Sequence, residues 1–358
     1  MKKVLKQLHQ VQENDFIIFK DLLLNCIKEY LPKTLNLSVF SDVFKNCDSI
    51  DYQNEEIVAA YVMLHLLDRY VRFQKIQEEL LKRGFLEKWI NMKNRGVKAN
   101  PNYKLKMRIL DVGTGPAPAL FAFSDLYEWI KKFYNNKIDI KEDYIEQSHG
   151  FRQFLHFFVE MSLKKDKRYH VPFHHGNFYS LNEFRESDYA MGRRGIKAIR
   201  RKFDIVIFSN FLTNEKIIDE NQNYIKEILN SVTNGGLILI VGANPNLPKY
   251  KKVYKKITNI IGDKYKFKEF YGNWENKYDG SMSVKYKDLN ISNEYASYFL
   301  TIKEILENNS IYNNLEKTIR ERIEKCITGG DEAEWHLYVF RKKSAKYRKI
   351  NYVKNRLN

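Results

Sequence analysis

The chain has 358 residues, and its 61 Lys and Arg against 44 Asp and Glu give a formal net charge of +17. Apolar residues make up 44% and aromatic residues 14%, with a mean hydropathy of −0.54. This composition is that of a globular protein, and it excludes a disordered chain, a collagen and a coiled coil. The length predicts about two domains.

The cysteine content and the apolar pattern indicate a cytoplasmic protein. Cys26, Cys47 and Cys326 are too few and too scattered for a disulfide framework or a CxxC zinc site. The apolar residues of the basic N-terminal segment are interleaved with polar ones, so no signal-peptide stretch is predicted. No run approaches the ~20 apolar residues that a bilayer span needs, and no membrane contact is expected.

The first part of the chain is predicted to be an all-helical N-terminal domain, residues 1–100. Apolar residues recur there at helical spacing, as at Val58, Tyr61 and Leu64. Segment 94–107 contains Gly96, a proline and several asparagines, which are typical of a linker.

From residue 101 to 345 short apolar runs alternate with turns and amphipathic stretches, which predicts a parallel sheet with crossover helices. The runs are MRILDVG, EDYIEQS, YHVPFHHGN, FDIVIFSN and GGLILIVGAN. Helices are predicted between them at 129–133, 151–163, 223–232 and 251–261. EWHLYVFRK is a late strand, preceded by a helical insertion near 275–330, and a basic tail covers 346–358. Trp274 and Tyr278 are predicted to lie in a loop, where they either line a substrate pocket or anchor this insertion against the core.

The segment RILDVGTGPAPALFAF, residues 108–123, carries the chemistry. An apolar strand is followed by Asp111, Gly113, Thr114 and Gly115, and then by a helix. Such a glycine-rich turn brings backbone N–H groups close to a ligand at a helix N-terminus, which favours negative charge there. The turn alone fits several classes of nucleotide-like cofactor.

The order of polar residues at successive strand ends resembles that of the class I S-adenosylmethionine-dependent methyltransferases. The resemblance implies a Rossmann-like core, with a mostly parallel seven-stranded sheet and helices on both faces, and it implies S-adenosyl-L-methionine as cofactor. Glu146 then holds both ribose hydroxyls, because a carboxylate accepts two hydrogen bonds at once. The distance along the chain from Gly113 to Glu146 exceeds the usual ~20 residues, which leaves Asp139 and Asp143 as rivals.

Later strand ends supply the remaining cofactor residues that the resemblance implies. Asn177 and Phe178 occupy the position that faces the adenine, with Asn replacing the usual Asp. Ser209 and Asn210 follow the fourth strand, beside the donor methyl. Asp111, Gly113, Thr114 and Gly115 complete the set.

A narrower resemblance, over roughly residues 55–260, is to the small-ribosomal-subunit-associated methyltransferase-like family. It is carried by PALFAFSDLYEWI, EQSHGFRQFLHFF, SNFLTNE and GGLILIVGANPNLPKY. Members of that family commonly carry a cysteine cluster, which this chain lacks, so an iron–sulfur role is excluded.

The sequence says less about the acceptor of the methyl group than about the cofactor. SNFL lacks the prolines of exocyclic-amine methyltransferases, and the cysteines lie outside the core, which disfavours pyrimidine C5 methylation. Asn210, Glu215 and the pair His174 and His175 are candidates for a general base, and none of them stands out. These histidines, with His170, lack a Cys or carboxylate at ligand spacing, so no metal is predicted.

Three basic runs indicate RNA or a ribosomal particle as partner: 193–202, 249–256 and 341–356. Lysines and arginines in such runs neutralise phosphates, and interleaved tyrosines can stack on bases. Solvated surface in a Lys-rich protein is the alternative. We therefore expect a methyltransferase acting on RNA or a ribonucleoprotein; a small-molecule O- or N-methyltransferase and a non-catalytic assembly factor remain the alternatives.

Overall fold

The computed structural model describes residues 2–30, 35–47, 50–90, 105–134, 138–165, 169, 178–179, 189–191, 197–199, 203–209, 214–243, 248–262 and 274–343. Its N-terminal elements are helices: α1 (Lys2–Tyr30), α2 (Leu37–Asn46), α3 (Glu55–Tyr61), α4 (Leu67–Lys82) and α5 (Glu87–Ile90). A π-helical stretch, Val62–Leu66, joins α3 to α4.

Asparagines begin two of these helices. The side chain of Asn36 accepts a hydrogen bond from Ser38 N at 3.0 Å, and that of Asn54 accepts one from Glu56 N at 2.7 Å. Each side chain satisfies a backbone N–H that has no partner within the helix.

The rest of the described chain alternates strands with helices. The strands are β1 (Leu105–Val112), β2 (Ile138–Ile145), β3 (Phe178–Tyr179), β4 (Tyr189–Met191), β5 (Lys197–Ile199), β6 (Phe203–Ser209), β7 (Val232–Gly242), β8 (Trp274–Lys285) and β9 (Glu332–Lys342). The helices are α6 (Pro118–Tyr134), α7 (His149–Lys165), α8 (Glu215–Glu220), α9 (Gln222–Ser231), α10 (Pro248–Gly262), α11 (Ser292–Asn308) and α12 (Lys317–Ile327).

The central sheet has the strand order β3-β2-β1-β6-β7-β9-β8. Its first five strands in this order run parallel, and β9 runs antiparallel to both β7 and β8. The two short strands β4 and β5 form a separate antiparallel pair. The prediction of a mostly parallel α/β sheet is confirmed.

Alternate residues of each strand enter different cores, so helices cover both faces of the sheet. Ile109 of β1 and Ile207 of β6 belong to a core shared with α1, α4, α6, α7 and α11. Leu110 and Val206, one residue away on the same strands, pack with α8, α9 and α10. The N-terminal helices therefore share one core with the sheet, because their buried side chains cover one of its faces.

The prediction of a loop at Trp274 and Tyr278 is wrong. Both residues lie in β8, an edge strand that pairs with β9 along its whole length. The pattern WENKYDGSMSVK is mostly polar, as is common for an edge strand that is exposed to solvent. The helical insertion predicted near 275–330 therefore begins after this strand, with α11 at Ser292.

None of the described helices is both long enough and apolar enough to span a membrane.

Candidate cofactor site at the carboxyl edge of the sheet

The position of β1 in the sheet creates a crevice at the carboxyl ends of the strands. The chain passes from β1 to β2 and β3 on one side, and then returns to β6 and β7 on the other. In open α/β sheets, ligands bind outside the carboxyl ends of the strands at such a reversal point. Val112 and Ser209, the last residues of β1 and β6, lie at this edge of the sheet.

The turn after β1 has an unusual backbone. Gly113, Gly115 and Ala117 have φ angles of 68°, 55° and 57°. Gly113 N and Thr114 N donate to the carbonyl oxygen of Ile145 at 2.8 and 3.3 Å, which ties the turn to the end of β2. A left-handed conformation costs a residue with a side chain about 1–2 kcal/mol, and such conformations cluster at ligand sites.

Glu146, directly after β2, is bonded to the glycine turn. Its Oε2 accepts a hydrogen bond from Gly115 N at 2.7 Å, and its Oε1 accepts one from Ser148 N at 2.8 Å. Both rivals that the sequence left open, Asp139 and Asp143, lie within β2 rather than after it. Of the three acids, Glu146 is the one that lines the pocket described below.

Two carboxyl groups are buried at this end of the site, those of Glu146 and Asp111. Burial raises the pKa of Glu146, although the hydrogen bonds from Ser148 and Gly115 and the charge of Arg152 oppose the rise. Burial also raises the pKa of Asp111 to about 7, against the hydrogen bond from the Thr114 hydroxyl. That hydroxyl donates to Asp111 Oδ2 at 2.6 Å, while Oδ1 is buried without a hydrogen-bond partner among the described residues.

A cavity of about 230 Å³ lies above the glycine turn. The turn, the segment from Glu146 to Phe151, and Ser209 form its floor and sides. The remaining wall comes from the N-terminal region, from residues 50–53, Tyr61 and Arg69. None of these wall residues was individually predicted from the sequence to belong to the site.

Residues 50–53, which we call the strap, are seated on the first turn of α7. Ser148 Oγ donates to the carbonyl oxygen of Tyr52, and His149 N donates to Gln53 Oε1 at 2.9 Å. The Tyr52 ring stacks on Phe151, with ring centroids 4.5 Å apart. Gly150 permits this close approach, since a Cβ there would lie 2.4 Å from the Tyr52 carbonyl oxygen.

The strap and Glu146 are thus both held by Ser148, at the start of α7. Ser148 donates its backbone N–H to Glu146 and its hydroxyl to Tyr52. The one local signal for this contact is Gly150 near the start of a helix, where glycine is unfavourable without a packing reason.

The other predicted site residues fall in different places. Ser209 lines the cavity, and Phe178 belongs to β3, next to β2. Glu215 is exposed in the first turn of α8. Asn177 and Asn210 lie outside the described residues, as do the three histidines His170, His174 and His175.

The structure describes only part of the predicted basic runs. Run 249–256 lies on α10, whereas most of 193–202 and of 341–356 lies outside the described residues. Within the part of the chain that the structure describes, no group of three or more His, Cys, Asp and Glu side chains is arranged to hold a metal ion.

Comparison with known proteins finds structural similarity without a close sequence relative. No family model matches the chain, and no curated protein matches it. Similar solved structures include loganic acid methyltransferase with S-adenosylhomocysteine, at 10% identity and a TM-score of 0.34, covering 83% of this chain and 98% of that one. A Methanosarcina mazei S-adenosylmethionine-dependent methyltransferase has 12% identity and a TM-score of 0.33, covering 68% and 95%. A Listeria monocytogenes protein assigned to the class I methyltransferases has 12% identity and a TM-score of 0.37, covering 96% and 90%.

These three structures are each described as methyltransferases. At these TM-scores the fold assignment rests on the strand order and on the glycine turn, not on the neighbours. The narrower resemblance to the ribosomal-subunit-associated family stays a prediction.

Proposed function

We propose that the protein is an S-adenosylmethionine-dependent methyltransferase. The observation that carries the proposal is the bond between Glu146, at the carboxyl end of β2, and the N–H of Gly115 in the left-handed turn. The two groups meet at the reversal point of the sheet, where ligands of open α/β folds bind.

The residues of this site fit the cofactor. Each Glu146 oxygen accepts one backbone N–H and retains a second lone pair, so the carboxylate can accept the two hydroxyls of a ribose. The two glycines keep the backbone of the turn free of side chains, so that a ligand can approach it closely. When bound, the cofactor supplies a methyl group activated by its sulfonium sulfur. The contribution of the protein is to hold and orient the reactants and to exclude water.

The acceptor that we propose is a small molecule. The strap lines the cavity, and so do three aromatic rings that contact one another, those of Tyr52, Tyr61 and Phe151. Small-ligand sites are typically concave and combine aromatic side chains with a small number of polar groups that fix the orientation of the ligand. The RNA prediction rests on the basic runs, and run 249–256 lies on α10, on the opposite face of the sheet from the N-terminal helices.

Calorimetry with S-adenosylhomocysteine, the demethylated product, tests the cofactor. We expect wild type to bind and Glu146→Gln to bind about 10–100-fold more weakly, because an amide cannot accept both backbone hydrogen bonds. Glu160 is an exposed acid in α7 that does not line the cavity, so Glu160→Gln is the matched control and should bind like wild type. No binding by wild type at millimolar product would overturn the proposal and favour the non-catalytic assembly factor.

Filter binding tests the acceptor class. We expect no preference for RNA over a neutral polymer at moderate salt. A clear preference for RNA would replace the small-molecule acceptor by RNA and leave the cofactor proposal intact.

A further inference from the structure

Arg69 is held firmly at the edge of the cofactor cavity. It lies in the first turn of α4, is half-buried, and lines the cavity. The next residue, Tyr70, donates its hydroxyl to Asp125 of α6 and stacks on Phe19 with ring centroids 4.0 Å apart. Since α6 begins at the glycine turn, these contacts fix the backbone of Arg69 relative to that turn.

The Arg69 side chain is oriented by an aromatic ring. Its guanidinium carbon lies 5.4 Å from the centroid of the Tyr61 ring, which is itself part of the cavity wall. A guanidinium over a ring keeps its N–H donors at the edge of its plane, where they can bind a carboxylate in a two-pronged fashion.

The cavity has a carboxyl group at its floor and a guanidinium on its N-terminal wall. Glu146 lines the floor beside the glycine turn, and Arg69 lies on the wall from the N-terminal region, which also includes Asp51. Further cations lie behind this wall: burial, together with the charges of Arg322, Arg69 and Arg72, lowers the pKa of His65, whose ring is 5.1 Å from that of Tyr61, well below the usual value. Asp68 offsets part of that charge through its ion pair with Arg72.

The polar groups of the proposed cofactor differ along its length. The ribose hydroxyls can donate hydrogen bonds to Glu146, as argued above. The methionyl end carries a carboxylate and an ammonium group, and an arginine matches the carboxylate in charge and in geometry.

We propose that Arg69 forms a carboxylate-binding subsite on the N-terminal wall of the cavity, and that it binds the carboxylate of the cofactor's methionyl end. The inference rests on the proposed function. The same chemistry would serve a carboxylate on the acceptor, and the experiment distinguishes the two sources.

The test compares two ligands that differ by one carboxylate, S-adenosylmethionine and decarboxylated S-adenosylmethionine, by calorimetry. We expect Arg69→Gln to bind S-adenosylmethionine about 10–100-fold more weakly than wild type and the decarboxylated compound within about twofold. Arg69→Lys keeps the charge but loses the planar pair of donors, so its affinity for S-adenosylmethionine should lie between that of wild type and that of Arg69→Gln. Arg83 caps the C-terminus of the same helix, pairs with Glu79 and does not line the cavity, so Arg83→Gln should match wild type for both ligands.

The outcomes separate this inference from the proposed function. If wild type binds neither ligand, the proposed function fails and takes the cofactor subsite with it. If Arg69→Gln weakens both ligands equally, its effect is a general one on the fold and the subsite is overturned.

If Arg69→Gln binds both cofactor forms like wild type, the cofactor source is wrong. Benzoate titrated into the S-adenosylhomocysteine complex then tests the acceptor source. Binding to wild type but not to Arg69→Gln would support an acceptor carboxylate at Arg69, and equal behaviour of the two proteins would overturn the subsite altogether.

Discussion

Replacing Gly150 by alanine tests whether the strap is seated on α7 as the structure shows. The added Cβ would lie 2.4 Å from the carbonyl oxygen of Tyr52, 2.8 Å from Val58 Cγ2 and 3.3 Å from the carbonyl carbon of Gln53. Real Cβ atoms do not approach backbone atoms so closely, so either the strap or the start of α7 has to move.

Two opposing effects set the size of the change. A helix gains up to about 1 kcal/mol when glycine is replaced by alanine. If the strap stays, overpacking costs about 1–3 kcal/mol. If the strap moves away, it loses the hydrogen bonds from Ser148 and His149, at about 1 kcal/mol each. Either route costs about 2 kcal/mol, so we expect a net loss of about 1 kcal/mol in the free energy of unfolding.

Urea unfolding measures that loss, and calorimetry with S-adenosylhomocysteine measures its effect on the site. Because the strap lines the cavity, Gly150→Ala should also bind the product more weakly than wild type. Gly330→Ala is the matched control, since the nearest atom to a Cβ there is 3.8 Å away. A Gly150→Ala protein that is more stable than wild type and binds equally well would refute the seated strap.

Two further substitutions test buried polar groups. The pKa of Asp111 is about 7 in the folded protein and near 3.8 in a free side chain, so the folded state holds the proton more tightly and stability falls as pH rises from about 4 to 7. Urea unfolding at pH 5 and pH 8 should therefore show wild type losing stability relative to Asp111→Asn, and a pH-independent difference would contradict the burial of this acid. Tyr70→Phe removes a hydroxyl that donates to buried Asp125 while the stack on Phe19 remains; we expect a loss of about 1–3 kcal/mol, and a loss below about 0.5 kcal/mol would show that the bond contributes little.

The local sequence pattern was enough to locate the buried parallel strands β1, β6 and β7 and the glycine turn. Parallel strands buried on both faces are continuous apolar runs, and such runs correctly located β1, β6 and β7. The turn at Gly113 and Gly115 was visible because its conformation depends on residue type within a few positions. β8 was missed because an exposed edge strand needs no apolar run, and WENKYDGSMSVK has none.

The sequence by itself therefore determined the class of the fold, the position of the turn and Glu146 as one of three candidate acids. The tertiary structure decided which acid lies against the turn, and it brought the strap and Arg69 to the cavity. The physical reason is the range of the contacts. Tyr52 and Ser148 lie 96 residues apart and meet through a hydroxyl and a backbone carbonyl. Such a contact follows no periodic pattern along the chain, because it depends on how the helical layer packs on the sheet.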